Sequence, residues 1–127
     1  MKCLSLRQPF AELVVIGRKS IELRNWNTSY RGRFLVHSAK QQYEGYASTY
    51  GLDQEELATG AIIGYADIYG VKSYRDKEDF DKDKNKHLAS GKFMFSKYAF
   101  MLRNAGKLEK PIKTKGKLNF FEVNIEV

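Results

Sequence analysis

Leu4-Ser5-Leu6-Arg7-Gln8-Pro9-Phe10-Ala11, followed shortly by Gly17-Arg18-Lys19-Ser20-Ile21-Glu22-Leu23-Arg24-Asn25-Trp26, carries a strand, a helix and a second strand in close succession. Leu4 and Leu6 alternate with Ser5, the period of a short strand. Gln8-Pro9 opens a helix, since Pro lacks an N–H and suits the first helical position. Phe10, Leu13 and Val14 then lie at i, i+3 and i+4, an apolar stripe on one helix face. Gly17 is placed to end the helix in the left-handed conformation. From Ser20 the period returns to two: Ile21 and Leu23 point one way, Ser20, Glu22, Arg24 and Trp26 the other.

Outward from this stretch, the alternation recurs. Phe34 and Val36 alternate with Leu35 and His37, residues 61–71 read as a long strand, and residues 98–103 and 120–127 as two more. Gly64 and Gly70 mark bends or bulges in the long strand. Tyr43, Tyr46, Ala47 and Tyr50 lie at helical spacing and read as packing residues. Asp53 with Glu56 resembles a capping box for a short helix ending at Gly60. Residues 72–92 read as a charged excursion of helix and mobile loop, and Lys107 to Lys117 as a Lys-rich loop. Strands that alternate rather than run uniformly apolar argue against a parallel α/β sheet. The pattern predicts an α+β domain, a small, partly closed antiparallel β-barrel with short flanking helices.

The 127 residues, 14.7 kDa and 43% hydrophobic content suit one domain, residues 1–127, with a core that needs no staples. The single Cys excludes an intramolecular disulfide and fits a reducing, cytoplasmic setting; Cys3 itself reads as a buried structural thiol. No apolar run approaches the ~20 residues of a membrane-spanning helix. One Cys and two distant His leave too few ligands for a structural zinc. Asp81-Lys82-Asp83-Lys84-Asn85 begins like a calcium loop, but Lys86 and Lys92 stand where Gly and Glu are needed. No phosphate-binding loop or nucleophile elbow is present, and neither a metal nor a cofactor is expected.

The net charge of +7 is segregated: residues 1–40 carry +6, residues 41–90 carry −4 and residues 91–127 carry +5. If the termini meet, the basic segments form one positive face that attracts phosphate backbones. Within it, Glu22 and Arg24 share the strand face away from Ile21 and Leu23, and Lys19 sits where helix passes into strand. A carboxylate between two cations is ionised and holds both in place. The alternative is a surface ion cluster of little worth.

The run Leu4-Ser5-Leu6-Arg7-Gln8-Pro9-Phe10-Ala11, then Gly17-x-Lys19-x-x-Glu22-x-Arg24-x-Trp26, resembles the start of ASCH-domain proteins of the PUA-like superfamily. Tyr30-Arg31-Gly32-Arg33-Phe34-Leu35-Val36-His37-Ser38-Ala39, the strand from Gly60 to Ile68, and Lys110-Pro111-Ile112 with Gly116 and Phe120-Phe121-Glu122-Val123 continue the likeness over nearly the whole chain. The resemblance implies a PUA-like barrel with a cleft beside its first helix, lined by Lys19, Glu22 and Arg24. It also implies binding of RNA, with DNA as the other polymer. One branch of the family deacylates an acetylated cytidine with a Thr nucleophile, and Glu22 stands at that position here, so that mechanism does not carry over. A carboxylate there could instead serve as a general base, with Lys19 stabilising developing negative charge.

The resulting expectations are three. The first is an RNA-binding module in which Arg7, Lys19, Glu22, Arg24, Arg31 and Lys40 supply the polar rim and Trp26, Tyr30 and Tyr98 offer rings to unpaired bases. His37 reads either as a satisfied structural histidine or as a base, and Ser38 and Lys40 follow it along the same rim. The second is a metal-independent hydrolase or nuclease with Lys19 and Glu22 as its catalytic pair. The third is a protein-interaction module built on the acidic middle segment.

Overall fold

A computed structural model describes residues 1–89, 93 and 98–127. Its elements in chain order are β1 (Lys2–Leu6), α1 (Phe10–Val15), β2 (Ile21–Arg24), β3 (Gly32–Ser38), β4 (Ala61–Lys72), α2 (Lys77–Lys82), α3 (Lys84–His87), β5 (Tyr98–Lys113) and β6 (Phe120–Glu122). Single 3-10 turns at Ala47–Tyr50 and Gln54–Glu56 link β3 to β4. The six strands form one sheet in the order β2-β5-β4-β3-β1-β6. Every pairing is antiparallel except β1 with β3, where Cys3 faces Leu35 and Leu6 faces Ser38 in parallel register. Alternation along a strand reports which face is buried, not the direction of its neighbour, so this one parallel pair was not visible in the pattern.

The sheet is curled into a half-barrel, and its edges show it. β2 and β1 lie far apart in strand order, yet Arg24 Nη2 donates to the Ser5 carbonyl at 2.9 Å. The Trp26 ring on one edge sits 5.6 Å from Phe120 on the other. The inner face holds the main core: Leu4, Leu6, Val14, Phe34, Val36, Ile63 and Phe100. A second, smaller core of Cys3, Leu35, Ile62 and Phe121 occupies the outer face, covered by Met1, Val123 and Ile125. Cys3 is fully buried, and burial pushes its thiol up to about 12.

β4 is the strand that bends. Its register with β5 shifts between Ile62 and Gly64 and again between Ile68 and Gly70, as the glycines suggested. At Gly64 the close approach is explicit: a Cβ there would lie 2.3 Å from the Gly106 carbonyl oxygen and 2.5 Å from Val15 Cγ1 of α1.

Four segments differ from the sequence pattern. The Lys-rich run is not a loop throughout: β5 continues to Lys113, pairing with Ala61 and Ile62. Its lysines project from the strand while its backbone completes the ladder, so composition alone misread it. Only Phe120–Glu122 of the last segment is strand; beyond it Val123 N–H bonds to the Met1 carbonyl. Of the tyrosine-rich stretch only Ala47–Tyr50 is helical, a single 3-10 turn, with Tyr43 and Tyr46 before it. Asp53 caps through Glu55 N–H, a local turn bond. In the charged excursion, Asp76 caps α2 by accepting from Asp79 N–H, and the fully buried Phe80 makes a small core with Tyr74 and His87. The loop expected to close that excursion extends beyond Ala89, outside the described residues.

Candidate functional site

α1 ends at Gly17, whose φ of +83° turns the chain so that Arg18 and Lys19 N–H both reach the Leu13 carbonyl. This turn delivers Lys19 to the start of β2, inside a cleft of about 560 Å³ between α1, β2 and the end of α3. Lys19 is only 5% exposed. Its Nζ donates to the His87 carbonyl at 2.5 Å and lies 3.5 Å from Glu22 Oε1. Glu22 Oε2 in turn accepts from Arg24 Nε at 2.9 Å and lies 2.8 Å from Arg24 Nη2, a forked carboxylate–guanidinium pair. The same Nη2 bridges the seam to Ser5.

The three side chains therefore form an interlocked, largely buried ion cluster with a net positive charge, not a surface pair. Burial lowers the Lys19 pKa from its ordinary value, against the upward pull of Glu22. Both cations line the cleft with donor capacity left: Lys19 has a third N–H, and Arg24 Nη1 has no hydrogen-bond partner among the described residues.

The remaining walls come from elements distant in sequence. On one side stand Phe10, Tyr43, Tyr46 and Tyr50, with the exposed Arg7 donating to Gln41 Oε1 at 2.9 Å. On the other stand His87, Leu88 and Ala89, so the charged excursion does border the cleft. His87 is buried, stacked on Phe80 at 4.1 Å. Its Nε2 lies 2.8 Å from the Phe80 carbonyl, and Ala89 N–H donates to Nδ1 at 3.0 Å. These partners assign the imidazole proton to Nε2.

Of the residues singled out in the sequence, Arg7, Lys19, Glu22 and Arg24 line the cleft together. The others do not line it. Trp26 packs edge-on against Phe100 and Phe120, next to Arg24 and partly buried against the core. Tyr98 opposes Arg24 in the β2–β5 ladder and is half-buried against the same core. Tyr30 packs on Phe120 and donates its hydroxyl to the Arg33 carbonyl, while Arg31 donates to the Thr28 and Tyr30 carbonyls. His37 is buried on the outer face, its Nδ1 2.9 Å from Ser5 Oγ and its Nε2 2.7 Å from the Thr114 carbonyl. Ser38 donates to the Ala61 carbonyl, and Lys40 lies exposed beside Gly60. Among the described residues, no group of three or more His, Cys, Asp or Glu is arranged to hold a metal.

A mixed six-stranded sheet curled into a half-barrel, with a few short helices, is the PUA-like α+β fold. Residues 4–117 match the model of the ASCH domain, and the chain belongs to that family. Among curated relatives, it is 35% identical to activating signal cointegrator 1 of Homo sapiens and 30% identical to that of Mus musculus. In each case 61% of this chain is matched, against 16% and 15% of the relatives, so the chain spans about one-sixth of their length. Among solved structures, ASCH from Zymomonas mobilis superposes with a TM-score of 0.65 at 16% identity, covering 88% of this chain and 72% of that one. The S128A mutant of the same protein gives 0.64 at 17% identity, with the same coverage.

Proposed function

We propose that this ASCH domain binds RNA through the cleft. The carrying observation is its charge: Arg7, Lys19 and Arg24 line it, Arg18 flanks Tyr50 at its edge, and one carboxylate, Glu22, offsets them. Because Glu22 holds Lys19 and Arg24 in place, their remaining donors are pre-organised for phosphate oxygens. The exposed arginines supply the long-range attraction.

Fluorescence anisotropy of a labelled single-stranded RNA across several salt concentrations tests this. Affinity should fall steeply with salt, by about 0.7 log units per log unit of salt for each phosphate neutralised. Arg7→Ala and Arg18→Ala, both at the surface, should each flatten that slope. No binding to RNA at low salt would refute the reading, and equal affinity for DNA of the same sequence would widen it to nucleic acid in general.

One observation favours a second reading, hydrolysis of RNA or of a modified nucleoside. Lys19 is a buried amine of lowered pKa beside a carboxylate in a cleft, a recurrent feature of catalytic centres. Turnover of end-labelled RNA or acetylated cytidine that is lost in Glu22→Gln would support it; turnover that survives would exclude the pair.

A further inference from the structure

Resting on the RNA-binding reading, we propose that Tyr43 and Tyr46 form a stacking platform for unpaired bases of a single-stranded RNA at the cleft mouth. Both tyrosines were expected to be packing residues. Yet Tyr43 is 38% exposed and Tyr46 51% exposed. Their rings stack on one another, centroids 5.6 Å apart and 22° from parallel. Among the described residues, neither hydroxyl has a hydrogen-bond partner, so no side-chain hydrogen bond fixes the rings.

The rings are held from beneath. Phe10 meets Tyr43, Tyr46 and Tyr50 edge-on, at 5.6, 6.3 and 6.0 Å. Phe10 thus occupies the space these tyrosines surround. An aromatic cage for a cationic group would need that centre empty, and the neighbouring cations would repel such a ligand. Flat rings stacked on each other, with area left in water, instead suit a flat, neutral ligand that lies on a face.

Cations lie over rings of this cluster, one on Tyr43 of the platform and one on the neighbouring Tyr50. The Arg7 guanidinium lies over the Tyr43 ring, 5.3 Å from its centroid, and that of Arg18 over Tyr50 at 5.8 Å, so the more exposed Tyr46 offers the open face and the arginines lie within reach of the backbone phosphates. Aromatic faces interleaved with arginines let bases stack while phosphates are neutralised. A duplex keeps its base faces covered by their neighbours and cannot use such a surface. The occupant is therefore single-stranded.

The test compares wild type, Tyr46→Leu, Tyr46→Phe and Tyr43→Leu in anisotropy titrations with a labelled single-stranded RNA and with the same strand annealed to its complement. Loss of one base-stacking ring should weaken single-strand binding by about tenfold. The salt slope should not change, because no charge is removed. Tyr46→Phe should bind within about twofold of wild type, since the ring is kept. Matching unfolding curves show that the variants fold. If wild type binds RNA, with Arg7→Ala and Arg18→Ala flattening the slope, but both Leu variants match it, the platform is refuted and the RNA reading stands. Equal affinity for the duplex also refutes it. If wild type binds no RNA, both readings fall.

Discussion

Glu22→Gln removes a single negative charge from between two cations and leaves the side-chain shape almost unchanged. In the wild type, its Oε2 lies within 2.9 Å of two Arg24 nitrogens and its Oε1 3.5 Å from the nearly buried Lys19. Removing one partner of a fully buried ion pair costs about 3–5 kcal/mol. Two features reduce that here: Arg24 keeps 20% of its side-chain surface exposed, and the Gln carbonyl still accepts one hydrogen bond from it. We expect a loss of about 2–3 kcal/mol at pH 7, a midpoint lower by about 6–12 °C. The effect should also depend on pH. Burial lowers the folded-state pKa of Lys19 below its ordinary 10.5, and Glu22 pulls it back up. Without Glu22 it falls further. The unfolded chain then binds more protons than the folded one over a wider interval, so the variant's stability rises with pH where that of the wild type does not yet. The deficit should therefore narrow between the variant's Lys19 pKa and the wild type's, both below 10.5. Urea unfolding followed by circular dichroism at pH 7, 8.5 and 10 measures this. Stabilities at pH 7 within about 0.5 kcal/mol of each other would refute the interlocked cluster, since that is the scale of a solvated surface pair. A deficit that is the same at every pH would place its origin in Arg24 alone.

Two further outcomes follow from the fold. Gly64→Ala sets a methyl against the Gly106 carbonyl and Val15 at the same time, so it should cost about 3 kcal/mol or more in urea unfolding; an unchanged midpoint would show that β4 and β5 separate there at little cost. Burial lowers the His87 pKa below 6.5, with the Phe80 carbonyl pulling it up and Lys19 pushing it down. Its contribution is thus intact above pH 6.5 and lost as pH falls through the folded value, with a slope of up to about 1.4 kcal/mol per pH unit. His87→Gln should flatten the stability profile just below pH 6.5, and a wild-type profile equally flat would contradict the assignment.

Local periods made much of this protein legible. A strand of period two puts Glu22 and Arg24 on one face, and a glycine after an apolar stripe ends α1, so the cluster and its helix were readable from neighbouring residues. Lys19 was read as a cleft cation, with a solvated surface cation as the alternative, and its near-complete burial was not foreseen because charge is ordinarily solvated. Its burial depends on the His87 carbonyl, far along the chain, which no local pattern announces. The same limit explains Trp26, Tyr30 and Tyr98: their types suited stacking, but the half-barrel turns Trp26 and Tyr30 onto Phe120 and packs Tyr98 half-buried against the core. Conversely, Tyr43 and Tyr46 looked like packing residues at helical spacing; they precede the 3-10 turn of Ala47–Tyr50, and their rings pack on Phe10 yet keep area in water.

What the residues determine by themselves is therefore the family, the strand faces and the membership of the Lys–Glu–Arg cluster. These depend on contacts within a few residues, where backbone geometry allows few alternatives. Closure of the sheet by Arg24 on Ser5, the parallel β1–β3 pair and the cleft wall from α3 were decided only in three dimensions. Each joins segments whose meeting depends on how the whole sheet curls, and the curl is a property of all six strands together.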